Sequence, residues 1–179
     1  MPEKRKIQFI RKKAKAFRKG RKMAIRNIVL HSTEGREAGD LATLTGNQVS
    51  VHWYVTRAGK VFHIVNDEDT AFHAGRVFNP TFFSNDATVG IEQEHFDPDR
   101  KKGRPNEDWP DVQIEKVAQL TAFLVQTHKL SIPDDVKTHA EIARPKGRKQ
   151  DPFGYPFEKF FKLVEDNLQF DWQTEQIAG

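Results

Sequence analysis

His139 sits in the run Lys137-Thr138-His139-Ala140-Glu141, and twelve residues later Asp151 follows Lys149 and Gln150 and precedes Pro152. Imidazole and carboxylate are both ligands that zinc accepts, and a catalytic zinc usually takes three protein ligands and keeps one position for water. The third donor must come from elsewhere in the chain. His31 is the best placed, because it ends the apolar run Asn27-Ile28-Val29-Leu30. His31, His139 and Asp151 therefore read as a zinc triad. Each histidine closes a short extended segment, where side chains emerge from a sheet edge into a cleft, and Pro152 restricts the backbone beside Asp151. Zinc held this way stays partly uncompensated, so its water turns acidic enough to act near neutral pH.

Glu92 is the next candidate. It lies in Thr88-Val89-Gly90-Ile91-Glu92, whose alternation suits a strand. Gly90 leaves room for another backbone or a substrate to approach. A carboxylate facing an activated water can take its proton and pass it to a leaving amine. The plain alternative is a solvent-facing carboxylate like Glu94, on the same strand face. Lys149 can hold the charge that develops on a carbonyl oxygen under attack. Otherwise it is one more cation in the basic run from Lys146 to Lys149.

The elements that must position these residues can be read from periodicity. Ile28–His31, Val49–Thr56, Val61–Val65 and Thr88–Glu94 read as strands, with a hairpin turn at Arg57-Ala58-Gly59-Lys60. Ile114 to Leu130 follows helical spacing after a cap at Asp111, and Pro156 to Leu168 returns to it. Ser32–Asn47 and Asn66–Ser84 read as loops, the first with room for one helical turn. Phe96–Asp111 reads as an exposed connection and Arg144–Phe153 as a loop, while Val136–His139 is briefly extended. The tail after Phe170 reads as loosely held. Strands alternating with helices give an α/β domain with a mixed central sheet flanked by helices.

At 179 residues the chain suits one domain with a sizeable core, to which fourteen Phe contribute bulk. With no cysteine, disulfides and thiolate metal sites are excluded, so any metal rests on His, Asp or Glu. No apolar run approaches membrane-spanning length, and the basic N-terminus is followed by no apolar stretch of the kind a secretory signal needs. The net charge of +4 hides an asymmetry: residues 1–22 hold eleven of the 29 Lys and Arg and one of the 25 Asp and Glu. The rest of the chain is mildly acidic. Ile7, Ile10, Ala14 and Phe17 recur at spacings of three and four, so residues 1–24 read as a basic amphipathic helical arm, ended by Gly20, ahead of a catalytic domain at 25–179. Such an arm either contacts an anionic envelope or lipid surface or docks on its own domain. Nucleic acid is disfavoured because the domain behind the arm is acidic.

Taken in order, Ile28-Val29-Leu30-His31, Ser50-Val51-His52-Trp53-Tyr54-Val55, Phe72-His73-Ala74-Gly75, Val89-Gly90-Ile91-Glu92, His139 and Lys149-Gln150-Asp151-Pro152 resemble the type-2 N-acetylmuramoyl-L-alanine amidases. That family includes phage endolysins, peptidoglycan-recycling amidases and peptidoglycan recognition proteins. The resemblance covers about residues 25 to 168. It implies a mixed sheet with a Zn2+ cleft on one face, His31, His139 and Asp151 as zinc ligands, and hydrolysis of the bond between N-acetylmuramic acid and L-alanine. It also implies Glu92 as acid/base, Lys149 as the group polarising the scissile carbonyl, and His52 and His73 as cleft-lining, substrate-binding positions. Asp151, where other members carry Cys, looks like the recycling branch. Val51 stands where some phage members carry Tyr, so the acid/base role rests on Glu92. Trp53, Phe72 and Phe78 are candidates to pack on glycan or stem peptide, with core packing the better reading for Trp53.

The resemblance leaves the biological role open. The basic arm favours a phage or prophage endolysin, made in the cytoplasm without a signal peptide and acting on the peptidoglycan wall after release. Asp151 and Glu92 favour a cytoplasmic recycling amidase acting on anhydro-muropeptides. A zinc-less peptidoglycan-binding module is the third reading, and the full ligand set argues against it. A monomer is expected.

Overall fold

The computed structural model of the protein is described here for residues 1–97 and 107–179. Much of the expected exposed connection at 96–111 thus falls outside the described residues. Along the described chain the elements are β1 (Lys4–Arg11), β2 (Phe17–Arg18), β3 (Asn27–Leu30), α1 (Glu37–Leu44), β4 (Trp53–Val55), β5 (Val61–His63), β6 (Thr70–Ala71), α2 (Pro80–Phe83), β7 (Thr88–Gln93), α3 (Asp111–His128), β8 (Val136–Thr138), α4 (His139–Ile142), α5 (Phe157–Asn167) and β9 (Asp171–Ile177).

Seven strands form one sheet in the order β8-β3-β7-β4-β5-β1-β9, and β2 pairs with β6 in a separate ribbon. Strand β3 runs parallel to both β8 and β7, and β7 parallel to β4. The hairpin expected at residues 57–60 joins β4 to an antiparallel β5. The sheet is mixed and flanked by helices, as the sequence pattern predicts.

Alternation along the strands assigns the two faces. Ile28, Leu30, Val89, Ile91, Trp53 and Val55 enter one core with Ile114, Val117, Leu120 and Leu124 of α3 and Phe160 and Val164 of α5. Val29, Tyr54 and Phe62 point the other way, into smaller clusters with Ile142 and with Leu44 of α1. Side chains two apart share a face. His31 therefore lies on the Val29 side and Glu92 on the Gly90 side, away from α3 and α5.

The N-terminal segment differs from the helical reading. Residues 4–11 are a strand, pairing in parallel with β9 along its length and with β5 at Ile10 and Arg11. Ile7 and Phe9 are buried while Lys6 and Gln8 are exposed, which is a period of two. Ile7 and Ile10 fit a helical spacing and Ile7 and Phe9 an extended one, and the open edges of β5 and β9 decide for the strand. The residues that follow cross the Val29 side of the sheet, where Ala14 and Phe17 pack with Leu44 and Tyr54. Gly20 ends no helix; it takes a left-handed turn at φ 75°, and its N–H donates to Asp69 at 2.8 Å.

The tail is also better held than expected. Trp172 is buried and its indole donates to the Asn167 carbonyl at 2.9 Å, while Glu175 accepts from Lys6 at 2.6 Å. Residues 37–44 make two helical turns rather than one. The 66–84 loop contains both β6 and α2. Asp111 is the first residue of α3 instead of its cap, which is Pro110, and its carboxylate accepts from Lys159 of α5 at 2.6 Å.

If β9 is an integral strand, Trp172→Ala should lower unfolding free energy by about 3 kcal/mol or more, the usual cost of truncating a buried Trp. Denaturant titration measures this, and a change near zero would return the tail to a frayed end.

Candidate metal centre and its cleft

Each candidate ligand is set by its own local device. His31 follows β3 directly, and its N–H donates to the Ile91 carbonyl at 2.9 Å, which continues the β3–β7 ladder by one residue. His139 is the first residue of α4. Thr138 caps that turn: its hydroxyl accepts from Glu141 N–H at 3.1 Å, and Glu141 Oε2 accepts from Thr138 N–H at 2.6 Å. This reciprocal capping box fixes the direction in which β8 hands over to the turn. Asp151 is brought in by its loop, its carbonyl accepting from Ala140 N–H at 3.1 Å.

The three side chains meet. His31 Nδ1 is 3.0 Å from His139 Nδ1, His139 Nδ1 is 3.1 Å from Asp151 Oδ2, and His31 Nδ1 is 3.4 Å from the same oxygen. All three residues are buried. Ligand bonds of 2.0–2.1 Å in a tetrahedron give ligand-to-ligand edges of about 3.3 Å, so these separations suit one zinc ion. Proton accounting agrees. His139 Nε2 lies 3.1 Å from the Ala74 carbonyl, which only accepts, so the ring carries its hydrogen there and Nδ1 is bare. Burial drives the His31 imidazole down to about 4, so it is neutral at physiological pH. Burial raises the Asp151 carboxyl, but the neighbouring His139 and His31 outweigh it and hold the carboxyl well below the usual range. Bare nitrogens and a carboxylate oxygen at these distances repel one another unless a cation stands among them.

A cleft of about 390 Å³ opens over this point, lined among others by Glu92, Lys149, His73, Phe72, Ser50 and Leu44. Burial pushes the Glu92 carboxyl well above its ordinary value; the charges of Asp151 and Asp40 add to this and Lys149 opposes it. Lys149 is exposed at the rim and makes no side-chain hydrogen bond among the described residues. The structure thus gathers Glu92, Lys149 and His73 around His31, His139 and Asp151. It does not bring His52 to the cleft. His52 is fully buried beneath β7, its Nδ1 accepting from Gly90 N–H at 3.0 Å. Phe72 is on the cleft wall, Phe78 is exposed elsewhere, and Trp53 is in the core, stacked on His63 at 3.8 Å.

Several supporting groups escaped the sequence reading. Arg148, which looked like one charge in a basic run, donates to the carbonyls of Arg76 at 2.8 Å and Arg144 at 2.9 Å and so anchors the loop carrying Lys149 and Asp151. The capping box was legible as a Thr two places before Ala140 and a Glu one place after it. Gly90 admits neither backbone nor substrate: a Cβ there would stand 2.7 Å from His73 Nδ1, so the position makes room for an imidazole. Nothing in the sequence marks the Ala74 carbonyl, because every residue has one.

Comparison with known proteins agrees with this geometry. The model of the Amidase_2 family, N-acetylmuramoyl-L-alanine amidase, matches residues 21–154. The chain is 31% identical over 137 residues to the N-acetylmuramoyl-L-alanine amidase AmiD of Escherichia coli, covering 72% of this chain and 49% of that protein. It is 30% identical over 120 residues to the 1,6-anhydro-N-acetylmuramyl-L-alanine amidase AmpD of Haemophilus influenzae, covering 66% of this chain and 60% of the relative. The structure of AmpDh3 from Pseudomonas aeruginosa in complex with anhydromuramic pentapeptide superposes with a TM-score of 0.68 at 27% identity, over 78% of this chain and 59% of that one. The chain thus spans about half to three fifths of the length of the relatives it resembles. With a family match running from Arg21 through the third candidate ligand to Gly154, the chain belongs to the N-acetylmuramoyl-L-alanine amidase family.

Proposed function

We propose that the chain is a zinc-dependent amidase that cleaves the bond between N-acetylmuramic acid and L-alanine, with His31, His139 and Asp151 as metal ligands. The observation that carries this reading is the convergence of three metal-ligating atoms, all within 4.8 Å of one another, at the floor of a cleft also lined by Glu92. Zinc bound there would supply Lewis acidity. Glu92 would take the proton of the attacking water as its oxygen bonds to the amide carbon. The Lys149 ammonium would hold the charge that builds on the carbonyl oxygen. As the carbon–nitrogen bond breaks, Glu92 would return the proton to the alanine nitrogen. A raised carboxyl pKa suits a group that must both take and give a proton near neutrality.

The anhydro-muropeptides named with the relatives favour a soluble, anhydro-muramoyl peptide as substrate over the intact wall expected of an endolysin. The solved endolysin N-acetylmuramoyl-L-alanine amidase LysCS from Clostridium intestinale, at 16% identity, shares the fold alone. Removing zinc by chelation should abolish release of peptide from an anhydro-muropeptide, followed by mass spectrometry, and re-addition should restore it. Clearing of intact sacculi at a rate matching the soluble substrate would reinstate the lytic role.

Glu92→Gln should retain zinc and lose about 10²- to 10⁴-fold in turnover, the range typical of a lost acid/base. The same substitution should stabilise the metal-free protein. A carboxyl whose folded pKa lies above its unfolded value contributes stability at low pH, and that contribution is lost as pH rises through the folded pKa. The melting temperature of Glu92→Gln should therefore match wild type near pH 4, close to the ordinary Glu pKa, and exceed it increasingly as pH rises. A gap that is constant with pH would mean that Glu92 titrates normally.

The basic N-terminal segment supports a second contact. Its arginines are internal fasteners: Arg18 pairs with Asp86, and Arg21 donates to the carbonyls of Asn85, Asp86 and Thr88 at 3.0–3.1 Å. Lys12, Lys13, Lys15, Lys19 and Lys22 are exposed, and their ammonium groups have no hydrogen-bond or ion-pair partner among the described residues. Backbone bonds from Lys12 to His63 (3.1 Å) and from Lys15 to Gly46 (3.2 Å) hold this segment on the cleft side of the sheet. On this reading the lysines contact an anionic envelope or lipid surface. Because β1 belongs to the sheet, the test is neutralisation rather than truncation: the five Lys→Gln changes together should spare hydrolysis of soluble substrate. They should also abolish low-salt sedimentation with vesicles containing anionic lipid, and undiminished sedimentation would remove the contact.

A further inference from the structure

The outer side of His31 carries a chain of hydrogen bonds whose order is set by where the Thr88 hydroxyl sends its hydrogen, and the shorter of its two contacts is to the Ser84 carbonyl. It is read most simply from its far end. The Ser84 carbonyl can only accept, and the Thr88 hydroxyl donates to it at 2.9 Å. With its hydrogen committed, the Thr88 oxygen is left to accept from His73 Nε2, 3.3 Å away. A neutral imidazole carries one N–H, so the other nitrogen of His73, Nδ1, is then a bare acceptor. That nitrogen stands 2.9 Å from His31 Nε2. His31 must therefore keep its hydrogen on Nε2, which leaves its Nδ1 bare. Nδ1 is the atom that faces His139 and Asp151.

The ring of His73 is held for this contact from three directions. Its own N–H and that of Ala74 both donate to Asn85 Oδ1, at 3.0 and 2.8 Å. Gly90 leaves the hollow in which the ring lies, since a Cβ would meet ring atoms at 2.7–2.9 Å. The ring stands edge-on to His31, with centroids 5.0 Å apart and planes at 88°. Partners of this kind, one shell out from a metal, fix the tautomer and direction of a ligating imidazole.

We infer that His73, oriented by Thr88 and seated over Gly90, is a positioning residue that sets the tautomer of His31 and so readies its Nδ1 for the ion; the inference rests on the zinc reading above. His73 then acts through His31 and not primarily by touching substrate. His73→Phe keeps a planar ring and removes the acceptor. His73→Asn puts an amide oxygen where Nδ1 stands and restores it.

The test is zinc affinity by competition with a chromophoric chelator, together with long-range ¹H–¹⁵N spectra of the His31 ring in metal-free and zinc-loaded protein. His73→Phe should weaken zinc binding about 10- to 100-fold, the usual cost of losing such a partner. His73→Asn should bind close to wild type, and Thr88→Val should fall between the two. In wild type the His31 proton should reside on Nε2 with and without metal. Zinc binding by His73→Phe equal to wild type, no recovery in His73→Asn, or a His31 proton on Nδ1 in the metal-free protein would each overturn the assignment. Should His73→Phe fail to fold, Thr88→Val and the wild-type spectra decide. A wild-type protein that binds no zinc would sink the metal reading, while the tautomer measurement on metal-free protein would still judge the hydrogen-bond chain.

Discussion

Mutual repulsion among three electron-rich atoms is the constraint around which this molecule is built. Two ring nitrogens and a carboxylate oxygen stand 3.0–3.4 Å apart in a buried spot, where poor screening strengthens every charge interaction. Such a cluster persists only if the surrounding structure holds each member firmly or a cation neutralises it. Both conditions bear on what lies nearby. The outer nitrogens of both imidazoles are engaged, one by the Ala74 carbonyl and one by His73. The carboxylate arrives on a loop tied down by Arg148 and by the Ala140–Asp151 backbone bond.

The sheet supplies the geometry that the loops refine. Because β3, β7 and β8 are parallel neighbours, the residues at their C-terminal ends emerge side by side. His31, Glu92 and His139 come from three different strand ends and so reach the same cleft, where the local devices then aim the two imidazoles. Ligand sites outside the carboxyl ends of parallel strands are the general habit of α/β sheets. The opposite face is given over to packing, with α3 and α5 covering Ile28, Leu30, Val89 and Ile91. One face therefore provides stability and the other chemistry. A single alternating strand such as β7 serves both, with Ile91 turned inward and Glu92 turned to the cleft.

The sequence made the centre more legible than the periphery, for physical reasons. His31, Glu92 and His139 end or lie on extended runs whose alternation can be counted. Asp151 and Lys149 were reached through their spacing from His139 and through family resemblance. The two ends of the chain were misread because their pairing is non-local. Lys4–Arg11 satisfies a helical spacing taken alone, and only the presence of β5 and β9 on either side makes it a strand. Asp171–Ile177 buries little apart from Trp172, so its hydrophobic pattern is too faint to announce an edge strand. His52 fits a cleft-lining motif in the linear order, but depth below the surface is a property that linear order does not carry.

The β1–β9 pairing joins segments from opposite ends of the chain: Lys6 and Glu175 meet across 169 positions. During synthesis β1 emerges before β9 and must wait for every strand and helix between them before its long partner exists. In that interval it touches β5 at only two residues and otherwise offers an open row of backbone donors and acceptors. Nascent edges of this kind recruit other chains. Lys4, Arg5, Lys6 and Arg11, which flank the run from Ile7 to Ile10, oppose that, since neighbouring copies would bring like charges face to face. The same residues that give the segment its basic character therefore also act as a solubility guard while the sheet is incomplete.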